Sequence, residues 1–470
     1  MPEIDFFTIS PLDSRYRASN PEMFAAYAAY LSEEAAVRYQ AKVEAALARA
    51  LANRGICTPE QAEEIERAAA AVTPAEVQEE ERRTRHNVRA LVNVIQSKVS
   101  PASRPFVHLT ATSVDITDTA RALQFRDAVR HLLLPQLLEL WDLWAAIARR
   151  EADTVQMGRT HGQHAVPITF GFAVAEYVAR LGGRIEAVAH AAEELRGKMA
   201  GAVGAYNAAS LFFDDPEEFE REVLAILGLR PGSVSTQIVE PEYMADFAHA
   251  LISTLGVLGN FSDDIRHLQR SEIGEVGEAF AAEQVGSSTM PHKRNPWNFE
   301  HVKSLWKVFT PRMLTVYMDQ ISEHQRDLTN SASGRFLGEL IYGTALASDR
   351  LSRVCRKLVV DRARMEENFN RTKDMVVAEP LYILLAAAGH PDAHEAVRRL
   401  TLEAEKQGTP LTETLRTHGE LAPWLERLSP QQVEVLYRPE KYVGIAARKA
   451  RAVCDAWEAR LQALRGGQVG

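Results

Sequence analysis

Apolar positions in this chain recur at steps of three and four over stretches longer than an ordinary helix. After Pro167, the residues Phe170, Val174, Val178, Leu181, Ile185, Val188, Ala192 and Leu195 form one sustained seam. Its period of about 3.5 is that of long helices packed in a bundle. Gly171, Gly182 and Gly183 fall inside this seam and predict close helix–helix approach rather than turns. A second seam runs Phe247, Leu251, Leu255, Leu258, Ile265, Leu268. A third opens at "NPWNFEHVKSLWKVF", with Asn295 reading as N-cap, Pro296 as first helical position, and Phe299, Val302, Trp306 and Phe309 as the buried stripe. Strand patterns are few and short, and no repeat or low-complexity linker interrupts the chain. The expected fold is all-α, in three helical domains. Two prolines in "KVSPASRPFVH" and the end of the long seams near "RKLVVDRARM" set the edges. The expected domains are therefore an N-terminal one over 1–110, a central long-helix bundle over 111–360 and a C-terminal one over 361–470. Long helices with wide apolar faces need partner chains to cover them, which predicts a homo-oligomer.

Composition narrows the class of protein. The 470 residues are 46% hydrophobic and 25% charged, ordinary values for a folded chain with a large core. The net charge of −9 is spread without a basic block, which argues against a nucleic-acid partner. The first residues, "MPEIDFF", are acidic where a secretion signal is basic, and no apolar run is long enough to span a bilayer. Cys57, Cys355 and Cys454 lie far apart and read as free thiols. These features predict a soluble cytoplasmic protein with no membrane partner.

Neither a phosphate-binding GxxxxGK[ST], a dinucleotide glycine fingerprint nor an HExxH is present. Two polar clusters remain. In "GRTHGQHAVP", His161 and His164 stand three apart, open to reading as metal ligands, as structural histidines or as a catalytic acid on a loop bounded by Gly and Pro. No Cys or acid lies close by to complete a metal site. In "GSSTMPHKRNP", Gly286 to Pro296, two serines, Lys293 and Asn295 crowd one loop. Singly, each has a plain reading: Asn295 as a cap, Lys293 and Arg294 as surface cations, Glu300 as the partner of Lys303. Together they suit removal of a proton from carbon next to a carboxylate. A cation and an amide stabilise the charge that develops there, and a serine made anionic in a closed site serves as base.

The loop resembles the signature loop of the fumarase/aspartase superfamily. The segments "ISPLDSRY", "GRTHGQHAVPITFG", "IRHLQRSEIGEV" and "QRDLTNSASGR", in this order, resemble the adenylosuccinate lyase family within it. The resemblance runs from Ser10 to the C-terminal helices. It implies β-elimination of fumarate from a succinyl-nucleotide, with no metal or organic cofactor, in a homotetramer whose sites draw on three chains. It implies Ser287 as general base, His161 as general acid oriented by Glu300, and Lys293 and Asn295 on the succinyl carboxylates with Thr112, Ser113 and Gln237. His86, with its neighbours Arg85 and Asn87, would lie against substrate. Arg15, Tyr16, Ser331 and Arg335 would meet the phosphate, with Arg326 nearby, as guanidinium geometry favours.

The chain departs from the family pattern at three points. Asn87 follows His86 where an acid is usual, Val114 stands third in "TSVD", and Ala332 replaces a frequent serine. None touches the implied base, acid or carboxylate clamp. All three bear on contacts to substrate.

Overall fold

A computed structural model describes residues 7–279, 289, 290 and 292–466. The long seams fold as long helices. Those that position the site are α1 (Glu33–Asn53), α2 (Asn87–Ser97), α3 (Ser113–Ala128), α4 (Leu134–Arg150), α5 (Phe170–Glu193), α6 (Glu242–Leu268), α7 (Trp297–Phe309), α8 (Gly338–Cys355), α9 (Arg362–Asn370) and α10 (Ala446–Arg465). Helices α4, α5, α6 and α8 pack against one another, α7 lies on α6 and α8, and α10 returns from the end of the chain onto α4 and α5. The fold is all-α in character, as the periodicity predicts.

Every residue of the first seam is buried, from Phe170 to Leu195. In the second, Leu268 alone is only partly covered. On α7 the buried stripe is Phe299, Val302, Leu305 and Phe309, and Trp306 is half-buried beside it. Aromatic packing concentrates where α4, α5 and α6 meet: Trp144 stacks on Phe261 with centroids 4.2 Å apart, and Tyr177 meets the same ring edge-on at 5.2 Å. Two glycines allow the close approach. A Cβ on Gly171 would lie 2.3 Å from the Ala148 carbonyl oxygen, and one on Gly182 2.4 Å from the Trp457 ring. One core runs continuously from Tyr27 to Met365 and takes in Ala450, Cys454 and Leu461 of α10; a second, smaller core lies within residues 377–436.

The sequence reading of "GRTHGQHAVP" as a loop needs correction. Strands β1 (Val155–Thr160) and β2 (Gln163–Thr169) pair antiparallel, with Thr160 opposite Gln163 and a bulge between Met157 and Arg159. The run is short and broken by Gly158 and Pro167, which hides its alternation. Pro167 is tolerated because a two-stranded ribbon has only edge strands. A second small pair joins β3 (Val276–Gly277) to β4 (Val359–Val360).

Candidate active site

The first group of polar residues gathers at the start of α3. Thr112 caps the helix, and the Asp115 carboxylate accepts a hydrogen bond from its backbone N–H at 2.8 Å. His86 caps α2, accepting from the Arg89 N–H through Nδ1 at 3.2 Å, and turns Nε2 to within 3.4 Å of Ser113 Oγ. Arg85 holds a left-handed backbone (φ 56°) just before it, and Asn87 is the first residue of α2. Thus His86, 27 positions before Ser113, meets Thr112 and Ser113 where two helices start.

Behind them lies a fully buried ion pair between Lys198 and Asp115. Asp115 also accepts the Gly201 N–H at 3.2 Å. The loop that follows bends through three left-handed residues, Gly201, Gly204 and Tyr206. It is tied by buried Glu220, which accepts from the Met199 N–H at 2.7 Å and from the Tyr206 hydroxyl at 2.6 Å. Sequence reasoning passed over this loop because its Gly and Ala residues carry no chemistry of their own. It also passed over the turn before Thr112, where His108 (φ 65°) and Thr110 (φ 74°) are left-handed without being glycine. The His108 ring is held at 2.7 Å by buried Glu44, whose charge draws its pKa upward against the opposing effect of burial.

Gln237 and Arg326 are brought together alongside α3, where the Gln237 N–H donates to the Gln325 carbonyl at 3.2 Å. Arg326 has a strained backbone, φ 143°, and all three of its guanidinium nitrogens are buried with no hydrogen-bond partner among the described residues. Asp118 of α3 feels its field, although burial dominates and pushes the Asp118 carboxyl up. Ser331 and Arg335 follow in an exposed turn, and Arg335 lines a cavity with Ser10 and Asp13 of the N-terminal segment.

A second group joins the N-terminal segment to α7. A widened turn, with the Tyr16 N–H bonded to the Pro11 carbonyl at 3.0 Å, presents Arg15 and Tyr16. Tyr16 Oη lies 2.9 Å from Nε2 of His301, the residue after Glu300. Burial, then the fields of Arg350 and Arg15, lower the His301 pKa to about 4. Lys293 is exposed and Asn295 half-buried just ahead of the helix. Asn295 is not its cap: Pro296 holds that position, and the carboxylate of Glu278 accepts the N–H of Asn298 at 2.8 Å and of Phe299 at 3.3 Å. A distant acid thus does what the local sequence assigned to Asn295. Glu300 is exposed and does not pair with Lys303, which turns to Asp263 at 2.5 Å. Ser287 lies outside the described residues.

His161 forms the third group alone. With Gly162 it makes the two-residue turn of the hairpin, both left-handed (φ 55° and 75°), as a type I′ turn requires. Its side chain is exposed at the tip, whereas His164 bonds Thr372 Oγ1 through Nδ1 at 2.7 Å. Among the described residues no hydrogen bond or ion pair joins His161 to Glu300, Thr112 or Tyr16 of the same chain. No helix among them is long and apolar enough to cross a membrane.

The fold is shared with enzymes of known structure. It superposes on a fumarate lyase from Mesorhizobium sp. BNC1 with TM-score 0.78, at 24% identity over 93% of this chain and 97% of that one. The 3-carboxy-cis,cis-muconate lactonizing enzyme of Pseudomonas putida also superposes with TM-score 0.78, at 26% identity over 92% and 98%. Residues 14–308 match the family described as Lyase, which makes the protein a superfamily lyase. Residues 322–432 match the adenylosuccinate lyase C-terminal family. The adenylosuccinate lyase of Pyrococcus abyssi is 36% identical over 95% of this chain and 96% of its own, and that of Archaeoglobus fulgidus 33% over 95% and 98%. The chain belongs to the adenylosuccinate lyase family. The N-acetyl-S-(2-succino)cysteine lyase of Enterococcus italicus is also similar, at 29% identity over 91% and 93%.

Proposed function

We propose that the protein cleaves adenylosuccinate to AMP and fumarate, and likewise the succinylaminoimidazole carboxamide ribotide of purine nucleotide synthesis. The observation that carries this choice is Arg326: its guanidinium is buried within the field of Asp118 but has no hydrogen-bond partner among the described residues, an environment suited to a bound anion, and its neighbour Gln325 accepts the Gln237 N–H. A succinyl-nucleotide brings such an anion in its phosphate.

In this reading Ser287 takes the proton from the succinyl carbon next to a carboxylate. The electron pair left behind is spread into that carboxylate, where Lys293 and Asn295, with Thr112, Ser113 and Gln237, stabilise the added charge. The pair then forms the carbon–carbon double bond of fumarate as the carbon–nitrogen bond breaks, and His161, oriented by Glu300, protonates the departing amine. Arg15, Tyr16, Ser331 and Arg335 take the phosphate with Arg326, and Arg85, His86 and Asn87 flank the substrate. The division into domains 1–110, 111–360 and 361–470 belongs to the same reading, as does a cytoplasmic location.

The exposed tip position of His161 supports assembly as a homotetramer with sites shared between chains. So do the apolar side chains left open near α7, among them Leu314, Met318, Ile321 and Leu328. The test is fumarate release from adenylosuccinate, argininosuccinate and N-acetyl-S-(2-succino)cysteine, each with and without a chelator. Release from adenylosuccinate, unchanged by the chelator, is expected. Release only from a substrate without a phosphate would refute the reading, and loss on chelation would return the two histidines of "HGQH" to consideration as metal ligands.

A further inference from the structure

The segment "RSEIGEVGE", Arg270 to Glu278, contributes no residue to the chemistry above, yet it carries two of the buried acids of the protein, Glu275 and Glu278. Three residues apart across the extended pair Val276–Gly277, their side chains leave on opposite faces. Glu275 points to the hairpin. One of its oxygens accepts from Arg159 Nη2 at 2.5 Å and Asn368 Nδ2 at 2.8 Å, the other from Gln156 Nε2 at 2.8 Å and Arg159 Nη1 at 3.1 Å. Gln156 and Arg159 both lie on β1, and Thr160 and His161 follow directly. Glu278 points to α7, where it accepts two backbone N–H groups of the helix start and Asn298 Nδ2 at 2.5 Å. Gln269 adds a second tie on that side: its amide accepts from the Glu278 N–H at 2.9 Å and donates to the Arg294 carbonyl at 3.3 Å, between Lys293 and Asn295.

The segment itself is fixed. Val276 pairs with Val360, the Asp361 N–H donates to the Glu275 carbonyl at 2.9 Å, and the Ile273 carbonyl accepts from Arg364 Nε at 3.1 Å and Asn368 Nδ2 at 2.8 Å. A buried carboxylate with every oxygen engaged, set on a rigid strand, holds its donors to one geometry.

We propose that Glu275 and Glu278 are positioning residues for the elimination, each for one half of the machinery: Glu275 sets the hairpin that presents His161, and Glu278 sets the helix start that presents Lys293 and Asn295. The proposal rests on the roles given to those three residues above. It predicts two separate kinetic lesions. Misplacing an acid that acts in bond cleavage lowers kcat, whereas misplacing a clamp on carboxylates already charged in the substrate weakens binding as well.

The experiment compares steady-state fumarate release by the wild type, Glu275→Gln, Glu278→Gln and His161→Ala over a range of pH. Glu275→Gln is expected to lower kcat by about tenfold or more with KM within about threefold, and to move the pH limb that His161→Ala abolishes. Glu278→Gln is expected to raise KM by about tenfold and to leave that limb in place. Because Glu275→Gln strands Arg159 in the interior, two further variants guard against simple misfolding. The double variant Glu275→Gln/Arg159→Met removes both charges, and Asn368→Ala removes one donor only; both should show the kcat lesion in smaller or equal size. Equal changes in kcat and KM for both acids, or melting temperatures that fall with unchanged kinetics, would overturn the proposal. If the wild type releases no fumarate from adenylosuccinate, or His161→Ala retains full kcat, the functional reading fails instead.

Discussion

Tyr16 and His301, 285 positions apart, share one hydrogen bond of 2.9 Å and bring the N-terminal segment onto the helix that carries Glu300. Burial, and then the fields of Arg350 and Arg15, disfavour the protonated imidazole in the folded state and lower its pKa to about 4. The unfolded chain binds that proton near pH 6.5, so between about pH 6.5 and 4 the unfolded state holds more protons than the native one. Stability therefore falls as pH drops through this window. Replacing His301 with Gln should remove this part of the acid sensitivity, on the order of 2 kcal/mol after allowance for partial exposure. Urea unfolding at pH 7 and pH 4.5 checks it: an equal loss of stability on acidification in both proteins would show that His301 does not titrate in this way.

The Lys198–Asp115 pair gives a second prediction. Asp115 serves two backbone N–H groups besides the ammonium, so removing the cation alone leaves a buried carboxylate short of its counter-charge. Lys198→Met should cost about 3–5 kcal/mol in denaturant unfolding. It should also raise KM, since the start of α3 with Thr112 and Ser113 is built on that carboxylate. A variant with wild-type stability would mean that the Lys198–Asp115 pair contributes no net stability to the fold.

How far the sequence discloses this molecule depends on how local each signal is. The seams through Phe170–Leu195 and Phe247–Leu268 are legible because one helix repeats the same burial many times over. The hairpin is not, since its few alternating positions are broken by Gly158 and Pro167. Asn295 has the composition of a cap, but Glu278, seventeen or more residues upstream, wins the helix amides because a carboxylate binds them more strongly than an amide. The residues that gather at α3 are individually visible through the family resemblance. Their supports, Glu44, Lys198, Glu220 and Glu275, are not, because a buried charge looks like a surface charge until its partner is placed.

The hairpin turn supplies a third prediction. Gly162 needs its φ of 75° to close the two-residue turn, and the space around it is open, so an added methyl meets strain and no clash. Gly162→Ala should cost about 1 kcal/mol. Its larger effect should be on kcat, by about tenfold, because His161 is the other half of the same turn. Circular dichroism and KM should stay near wild type. Equal kcat would show that the tip geometry is not used in the reaction.

The exposed His161 tip yields the final prediction. An acid that protonates a leaving group needs a dry, closed site, yet within one chain His161 stands exposed and unbonded to the residues of α3 or α7. If the hairpin of one chain completes a site formed by the signature loop of another, His161→Ala and Ser287→Ala damage different partners of each site. Either variant alone should fall to about a hundredth of wild-type activity or less. Mixed in equal amounts under conditions that exchange subunits, each site draws its hairpin and its loop independently, so about a quarter of sites carry both intact. Activity should rise towards that fraction of wild type, with wild-type KM at the restored sites. Native mass spectrometry reports whether hybrids have formed. Hybrids without activity would mean that His161 and Ser287 serve one site from one chain, and the tip would then have to fold back onto its own α7.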